Sequence, residues 1–266
     1  MCSQSADERQ RKSSVTGGTA NEVIAIIPAR YGSTRFPGKV LADLGGKPVI
    51  RHVYERVSLA SSISRIYVAT DDKTIAATVR GFGGETVMTL PTHPSGTDRV
   101  AEAASIVGGD IVVNVQGDEP LIDPTVIDAV VEKIRGDDGI VCSTAAVPIG
   151  SEEEYRNPNA VKVVIDSAGR ALYFSRSPIP CYRDGVFDGA LLHVGIYCFR
   201  RSFLAEYSYL GVSPLERAEK LEQLRILEHG LRIGVVVTGY RSSGIDTPAD
   251  LERVRVLMAG EAAQER

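Results

Sequence analysis

A loop rich in glycine and cationic side chains follows the first apolar run of the chain, between Pro28 and Lys39. It carries Arg30, Arg35 and Lys39 beside two glycines and two hydroxyl side chains. Glycine lets backbone amides approach an anion, and Lys or Arg neutralises phosphate charge, so the loop is suited to bind phosphate. It lacks the G-x-x-x-x-G-K-[ST] and G-x-G-x-x-G patterns, which disfavours a P-loop NTPase and a dinucleotide oxidoreductase. For this segment alone, a solvated basic loop is the alternative interpretation.

Two carboxylates follow other apolar runs. Asp118 comes three residues after the end of the run Ile111–Val115, and Asp246 lies two residues before Pro248. Mg²⁺ binds through one or two carboxylates plus substrate phosphates, so Asp118 fits that role. Asp246 fits it too, although Asp before a proline and a helical pattern is also a common helix N-cap. Two carboxylates opposite a cationic glycine loop predict metal-assisted phosphoryl or nucleotidyl transfer.

A third polar segment, Ser95–Arg99, opens a helical pattern. The simplest interpretation is a Ser or Thr helix cap. Small polar groups at an open helix N-terminus are also suited to contact the edge of a nucleobase.

The fold must bring these polar segments together. Short β-branched runs alternate with helical patterns along the chain, which is typical of an α/β fold. The strand candidates are Val23–Ile27, Arg65–Thr70, Glu85–Met88, Ile111–Val115, Ile140–Ala146, Val161–Ile165, Leu191–Phe199 and Ile233–Val237. The helical patterns between them are Pro48–Ser58, Asp72–Arg80, Thr97–Val107 and Pro124–Ile134. The alternation predicts an α/β fold with a doubly wound, mostly parallel sheet covered on both faces. Ligands bind beyond the carboxyl ends of such strands, where the polar segments lie.

The alternation changes after about residue 146, which predicts a second, smaller lobe. A helix is expected over Pro214–His229, and a last helix over 248–258 returns to the first lobe. The expected organisation is a disordered tail (1–21), a nucleotide-binding lobe (22–146), a sugar-acid-binding and dimerisation lobe (147–245) and the C-terminal helix (246–266).

Composition excludes several classes of protein. With 30 Lys+Arg against 34 Asp+Glu the net charge of the 266 residues is −4, which disfavours nucleic acid as a partner. No apolar run approaches the ~20 residues of a membrane span, and residues 1–21 have no apolar core of a secretory signal. The four cysteines are far apart, which disfavours a zinc site and favours a reducing, cytoplasmic location.

The chain resembles the 3-deoxy-manno-octulosonate cytidylyltransferases, also called CMP-KDO synthetases, from about Val23 to Met258. So many matching blocks in one order make chance similarity implausible. The blocks are Ile27–Lys39, Val68–Asp72, Ser95–Arg99, Val113–Pro120, Asn157–Lys162, Ala171–Arg176, Leu221–Arg225 and Gly244–Pro248.

The resemblance implies a Rossmann-like nucleotide-diphospho-sugar transferase fold and a reaction used in lipopolysaccharide biosynthesis. The anomeric hydroxyl of 3-deoxy-D-manno-octulosonate (KDO) attacks the α-phosphorus of CTP in line, giving CMP-KDO and pyrophosphate, with Mg²⁺ stabilising the charge. The family acts as a homodimer through the second lobe.

Site residues carry over from the matching blocks. The implied catalytic residues are Arg30, Lys39, Asp118 and Asp246, the last two as Mg²⁺ ligands. The implied CTP contacts are Pro28, Ala29, Arg30, Arg35, Lys39, Ala69, Thr70, Asp71, Ser95, Gly96, Thr97, Arg99, Gln116 and Asp118. The implied KDO contacts are Gln116, Arg183, His193, Tyr197, Glu222 and Gln223, with Arg183 suited to the KDO carboxylate.

The sequence departs from the family pattern at two places. Asp98 stands where the family more usually has Glu, and Cys181-Tyr182 stand where relatives carry an aromatic residue followed by an acid. The second departure leaves the orientation of Arg183 open.

The sequence leaves three alternatives to a KDO cytidylyltransferase. A CMP-sialate synthetase shares the chemistry, but its loop resembles Gly-Gly-Ser-Lys, whereas this chain has Tyr-Gly-Ser-Thr-Arg over 31–35. Another 2-keto sugar acid, such as 8-amino KDO, is a second alternative acceptor. A catalytically silent nucleotide-binding module predicts loss of Lys39, Asp118 or Asp246, and all three are present.

Overall fold

The computed structural model describes residues 22–32 and 35–264. The predicted tail, 1–21, lies outside the described residues.

A nine-stranded sheet forms the centre of the protein, with seven strands in the order β11-β7-β10-β6-β1-β4-β5. Of the other two strands, β8 pairs with β10, and β9 pairs with β8. Its strands are β1 Val23–Pro28, β4 Arg65–Thr70, β5 Glu85–Met88, β6 Ile111–Asn114, β7 Cys142–Pro148, β8 Lys162–Ile165, β9 Ala171–Ser175, β10 Leu191–Arg200 and β11 Ile233–Val237. A separate hairpin consists of β2 Asp43–Leu44 and β3 Lys47–Pro48. Neighbours β5, β4, β1 and β6 are parallel, as are β7 and β11, whereas β10 runs antiparallel to β6, β7 and β8. The predicted mostly parallel α/β fold is confirmed.

Helices cover both faces of this sheet, which explains why a central strand such as β1 is apolar on both of its faces. Apolar residues of α1, α2 and α4 pack on one face, and those of α3, α6 and α8 pack on the other. The helices are α1 Val49–Val57, α2 Lys73–Gly81, α3 Gly96–Val107, α4 Pro124–Arg135, α5 Glu152–Arg156, α6 Arg201–Tyr207, α7 Pro214–Glu219, α8 Gln223–Glu228 and α9 Pro248–Gln264, and a 3₁₀ turn spans Lys39–Leu41.

The last helix packs against the β2–β3 hairpin. Leu251 and Val254 of α9 form a small cluster with Leu44, Val49 and Ile245. This contact holds the residues just before α9 near the first strands of the sheet. Within the described ranges, no helix is both long and apolar enough to cross a lipid bilayer.

The prediction of one helix over Pro214–His229 is wrong, because the chain breaks it into α7 and α8. A capping box of Ser213 and Glu216 starts α7, and Lys220 ends it with φ = 55° in the left-handed region. Glu216 then accepts two hydrogen bonds from Arg225 of α8, at 2.8 and 2.6 Å. This ion pair ties the two helices together, and the Arg225 guanidinium also lies 4.7 Å from the centre of the Tyr207 ring.

We expect Glu216→Gln to lower the free energy of unfolding by about 3 kcal/mol, because it leaves the buried Arg225 guanidinium without a counter-charge. The two side chains are only 9 % and 7 % exposed. Urea unfolding at neutral pH measures this change. Glu152→Gln is the matched control, since Glu152 pairs with Arg156 at the surface of α5 and should cost no more than about 0.5 kcal/mol. Equal, small effects of the two substitutions would contradict the expectation.

Candidate active site

A cavity of about 420 Å³ opens beyond the carboxyl ends of β1 and β6, where the sequence predicts a site. It is lined by residues of the cationic loop, the start of α3, the turn after β6 and the segment before α9. The lining residues are Pro28, Ala29, Arg30, Gly32, Arg35, Lys39, Val40, His93, Ser95, Gly96, Arg99, Gln116, Gly117, Asp118, Glu222 and Asp246.

Close backbone packing brings the cationic loop and the turn after β6 together. A Cβ atom at Gly117 would lie 2.9 Å from the carbonyl oxygen of Pro28, closer than real side chains approach. The glycine therefore lets the end of β1 lie directly against the turn that carries Asp118. As a result, the anion-binding loop and this carboxylate face one cavity.

Lys39 lies between the two carboxylates at the centre of the cavity. Its Nζ donates a hydrogen bond of 2.8 Å to Asp246 and a shorter one to Asp118. Arg35 also donates to Asp246, at 2.9 Å. Burial alone would lower the pKa of Lys39, but the charges and hydrogen bonds of Asp118 and Asp246 outweigh burial and raise that pKa. Lys39 therefore stays charged and holds both carboxylates at one point.

The carboxylate of Asp246 is not used as a helix cap. The hydroxyl of Thr247 accepts a hydrogen bond from the Asp250 amide, and the Asp250 carboxylate accepts from the amides of Asp246 and Thr247. These bonds satisfy the start of α9. The side chain of Asp246 is thus available to the cavity.

The donor set fits a divalent cation only together with a substrate. In the described part of the chain, no group of three or more His, Cys, Asp or Glu side chains could hold a metal ion on its own. Asp118 and Asp246 do converge on one positive charge, the ammonium of Lys39. Two carboxylates completed by phosphate oxygens are a donor set that Mg²⁺ accepts.

Arg99 is held rigidly in the wall of the cavity. Its side chain is 6 % exposed, with one nitrogen 3.0 Å from the Asp71 carboxylate and another 2.5 Å from the Thr89 hydroxyl. Asp71 is therefore an ion-pair partner of a cavity residue and lines neither cavity itself. Ala69 and Thr70, at the end of β4, are fully buried and line neither cavity.

A second cavity, of about 220 Å³, adjoins the first and shares Gly96, Gln116 and Glu222 with it. The pairing of β10 with β7 shifts register between Val194 and Tyr197. Such irregularities redirect side chains, and Tyr197 lines this cavity. Its lining residues are Gly96, Thr97, Asn114, Gln116, Tyr197, Phe199, Tyr207, Lys220, Leu221, Glu222, Gln223 and Ile226.

Glu222 lies at the junction of the two cavities. Burial raises the pKa of its carboxyl group, and the charge of Asp98 acts in the same direction. Hydrogen bonds from Thr97 and Ser95 act in the opposite direction but do not cancel the effect of burial. A carboxylate of raised basicity therefore faces both cavities.

Two of the residues expected to contact the acceptor line neither cavity. His193 is half-buried beside Tyr197, with the centres of the two rings 5.5 Å apart, and hydrogen bonds to the Thr144 hydroxyl at 2.9 Å. Burial lowers the pKa of His193 to about 4, so its imidazole is neutral and supports Tyr197. Arg183 is exposed on the segment between β9 and β10, and its role stays a prediction.

Several lining residues were missed by the sequence analysis. His93 lines the first cavity and forms a short hydrogen bond with Glu102 of α3. Lys220, at the break between α7 and α8, and Tyr207, the last residue of α6, line the second cavity. His93 could have been found from its position two residues before the predicted cap Ser95, whereas nothing in the sequence pattern indicates Lys220.

Comparison with known proteins agrees with this geometry. The family model described as "Cytidylyltransferase" matches residues 24–233. A 3-deoxy-manno-octulosonate cytidylyltransferase of Geobacter metallireducens is 52 % identical over 244 residues, which cover 88 % of this chain and 96 % of the relative. One of Syntrophobacter fumaroxidans is 53 % identical, covering 90 % and 98 %.

A solved structure is similar to this chain over nearly its whole length. It is a CMP:2-keto-3-deoxy-manno-octonic acid synthetase complexed with CTP, 45 % identical, with a TM-score of 0.87 over 90 % of this chain and 99 % of that one. With these matches, the chain belongs to the cytidylyltransferase family and, within it, to the 3-deoxy-manno-octulosonate cytidylyltransferases.

Proposed function

We propose that this chain transfers CMP from CTP to the anomeric hydroxyl of KDO, releasing pyrophosphate and giving CMP-KDO for lipopolysaccharide biosynthesis. The observation that carries the proposal is the convergence of Asp118, Asp246 and Lys39 in a cavity that adjoins a second, polar cavity. The related CTP complex and the curated relatives support the same substrate pair.

The larger cavity takes the nucleotide. Arg30, Arg35 and Lys39 face the triphosphate, and the start of α3 at Ser95 and Gly96 offers polar groups to the cytidine. Cationic side chains and a helix N-terminus both favour bound anions. Because Lys39 is fixed by two carboxylates, its ammonium is in place before the nucleotide binds.

Asp118 and Asp246 would hold Mg²⁺. Bound there, the ion would neutralise charge that develops on the α-phosphate during transfer. The chain's own part is to orient the carboxylates, and Lys39 keeps them from repelling each other when no metal is bound.

The smaller cavity takes the sugar acid. Its amide, hydroxyl and carboxylate groups, including Gln116, Tyr197, Glu222 and Gln223, suit a polyhydroxylated ligand. Transfer then takes place where the two cavities meet, at Gln116 and Glu222, because both substrates are within reach only there. Holding the two reactants in line removes much of the entropic cost of a bimolecular reaction.

The attacking hydroxyl must lose its proton as the new O–P bond forms and the bond to pyrophosphate breaks. Glu222 is suited to accept that proton, because burial raises the pKa of its carboxyl group and it faces both cavities. The proton then passes to solvent when the products leave.

The proposal includes a homodimer formed through the second lobe and a cytoplasmic location. Leu172, Val186 and Tyr209 of that lobe are large apolar side chains exposed by 62 %, 70 % and 87 %, which favours a covered surface. Cys142, Cys181 and Cys198 are free thiols, as expected in a reducing compartment. Light scattering tests the homodimer, and the mass of a monomer at micromolar concentration would contradict it.

Pyrophosphate release with CTP and Mg²⁺ tests the function, with KDO, 8-amino KDO and N-acetylneuraminate offered in parallel and with UTP and ATP as controls. We expect release with CTP and KDO. Release with 8-amino KDO or N-acetylneuraminate instead would keep the chemistry and change the acceptor. Absence of release with every acid would contradict catalysis and favour a silent nucleotide-binding module.

A further inference from the structure

Glu119 follows Asp118 directly, but its side chain lines neither cavity. It points instead to the segment between β11 and α9. The Tyr240 hydroxyl donates a hydrogen bond of 3.0 Å to one carboxylate oxygen, and the Ser242 hydroxyl donates a short one to the other. The backbone of Ser243 hydrogen bonds to the same carboxylate. The carboxylate of Glu119 thus binds three residues of one segment, Tyr240, Ser242 and Ser243.

The bound segment leads directly to Asp246. A Cβ atom at Gly244 would lie 3.1 Å from a carboxylate oxygen of Glu119, which is a tight contact, so the backbone passes close to this side chain. The next amide, that of Ile245, donates a hydrogen bond of 2.9 Å to the carbonyl oxygen of Asp118. The side chain of Ile245 is fully buried. The backbone before Asp246 is therefore fixed to the backbone of Asp118 and to the side chain of Glu119.

We propose that Glu119 is a positioning residue that sets the separation of the Asp118 and Asp246 carboxylates. The inference rests on the proposed function, in which these two groups bind the divalent cation. This segment holds the backbone of Asp246, and on the cavity side Lys39 and Arg35 hold its carboxylate. Lys39 and Arg35 line the cavity, whereas Glu119 does not, so a substrate in the cavity does not compete for the contact through Glu119.

A carboxylate suits this position better than an amide. Two hydroxyls and a backbone amide donate to Glu119, and an ionised carboxylate only accepts hydrogen bonds. A glutamine would keep one acceptor oxygen and present N–H groups on its other side, where a hydroxyl would have to accept instead of donate, and the charge-assisted bonds would become weaker neutral ones. The segment would then be held less firmly, and its displacement would be transmitted to Asp246.

The test measures metal binding as well as activity. We expect Glu119→Gln to weaken Mn²⁺ binding in the presence of CTP about tenfold, as is typical when a group that orients metal ligands is replaced. Mn²⁺ binding is followed by electron paramagnetic resonance of the free ion, with no acceptor present. The Mg²⁺ concentration that gives half the maximal rate of pyrophosphate release should rise by a similar factor, while the KM for KDO stays unchanged.

Two further variants remove one hydrogen bond each and leave the carboxylate in place. Tyr240→Phe and Ser242→Ala should each weaken Mn²⁺ binding a few-fold, and they decide the question if Glu119→Gln does not fold. Glu55→Gln is the matched control. Glu55 of α1 pairs with Lys47 of β3 and with Arg51 of α1, and it lines neither cavity.

Unchanged Mn²⁺ affinity in a folded Glu119→Gln variant, or in both single-bond variants, would overturn the inference. A wild-type protein that binds Mn²⁺ and CTP but releases no pyrophosphate would instead contradict the proposed function. The two failures are therefore distinguishable.

Discussion

Replacing Asp118 by asparagine should lower kcat/KM for pyrophosphate release by about a thousandfold while leaving the fold intact. The reason is that a bound metal ion supplies several kcal/mol of transition-state stabilisation, and about 1.4 kcal/mol corresponds to a factor of ten in rate. Asp118 is 26 % exposed and bonds to Lys39, which keeps Asp246 as a second partner. The substitution should therefore leave the free energy of unfolding nearly unchanged. Steady-state kinetics and urea unfolding measure the two quantities.

A matched control separates the loss of a metal ligand from a general effect of replacing an aspartate by asparagine. Asp72→Asn replaces the cap of α2, which accepts hydrogen bonds from the amides of Thr74 and Ile75. Asparagine caps a helix as well as aspartate does, so this variant should keep its full rate. Asp246→Asn should reproduce the large loss. Near-normal rates in both Asp118→Asn and Asp246→Asn would show that neither carboxylate binds the metal.

The larger cavity was predictable because it depends on topology. Parallel strands place their carboxyl ends at one edge of a sheet, so Lys39 and Asp118, which follow different strands, were expected to meet there. Asp246 was harder to assign, since its sequence context fits a helix cap equally well. Only the tertiary arrangement shows that Thr247 and Asp250 cap the helix and that Asp246 faces Lys39.

The second cavity was only partly predictable, because it depends on a break that periodicity does not reveal. Leucines at 215, 221, 224 and 227 continue one apolar pattern, which favours a single helix. The left-handed conformation of Lys220 interrupts it, and the Glu216–Arg225 ion pair stabilises the resulting turn. Contacts between residues far apart in the chain, such as Glu119 with Tyr240 and Ser242, leave no periodic signal either.

Glu222→Gln should lower kcat about a hundredfold at neutral pH, the usual contribution of a general base. The KM for CTP should change little, because the nucleotide is held by other side chains. The acceptor hydroxyl would then have to lose its proton to water, which is a far weaker base than a buried carboxylate. Glu228→Gln, at the exposed end of the same helix, is the matched control and should keep the wild-type kcat.

The pH dependence distinguishes a base from a simple binding contact. A base acts only when it is deprotonated, so the wild-type kcat should rise with pH through the pKa of Glu222 and then level off. Burial raises that pKa above its usual value of 4.5, so the rise lies at a higher pH than for an ordinary glutamate. In Glu222→Gln this rise should vanish, leaving a low rate that is independent of pH over the same range. If Glu222 only bound the sugar acid, the KM for KDO would increase while kcat and its rise with pH stayed as in the wild type.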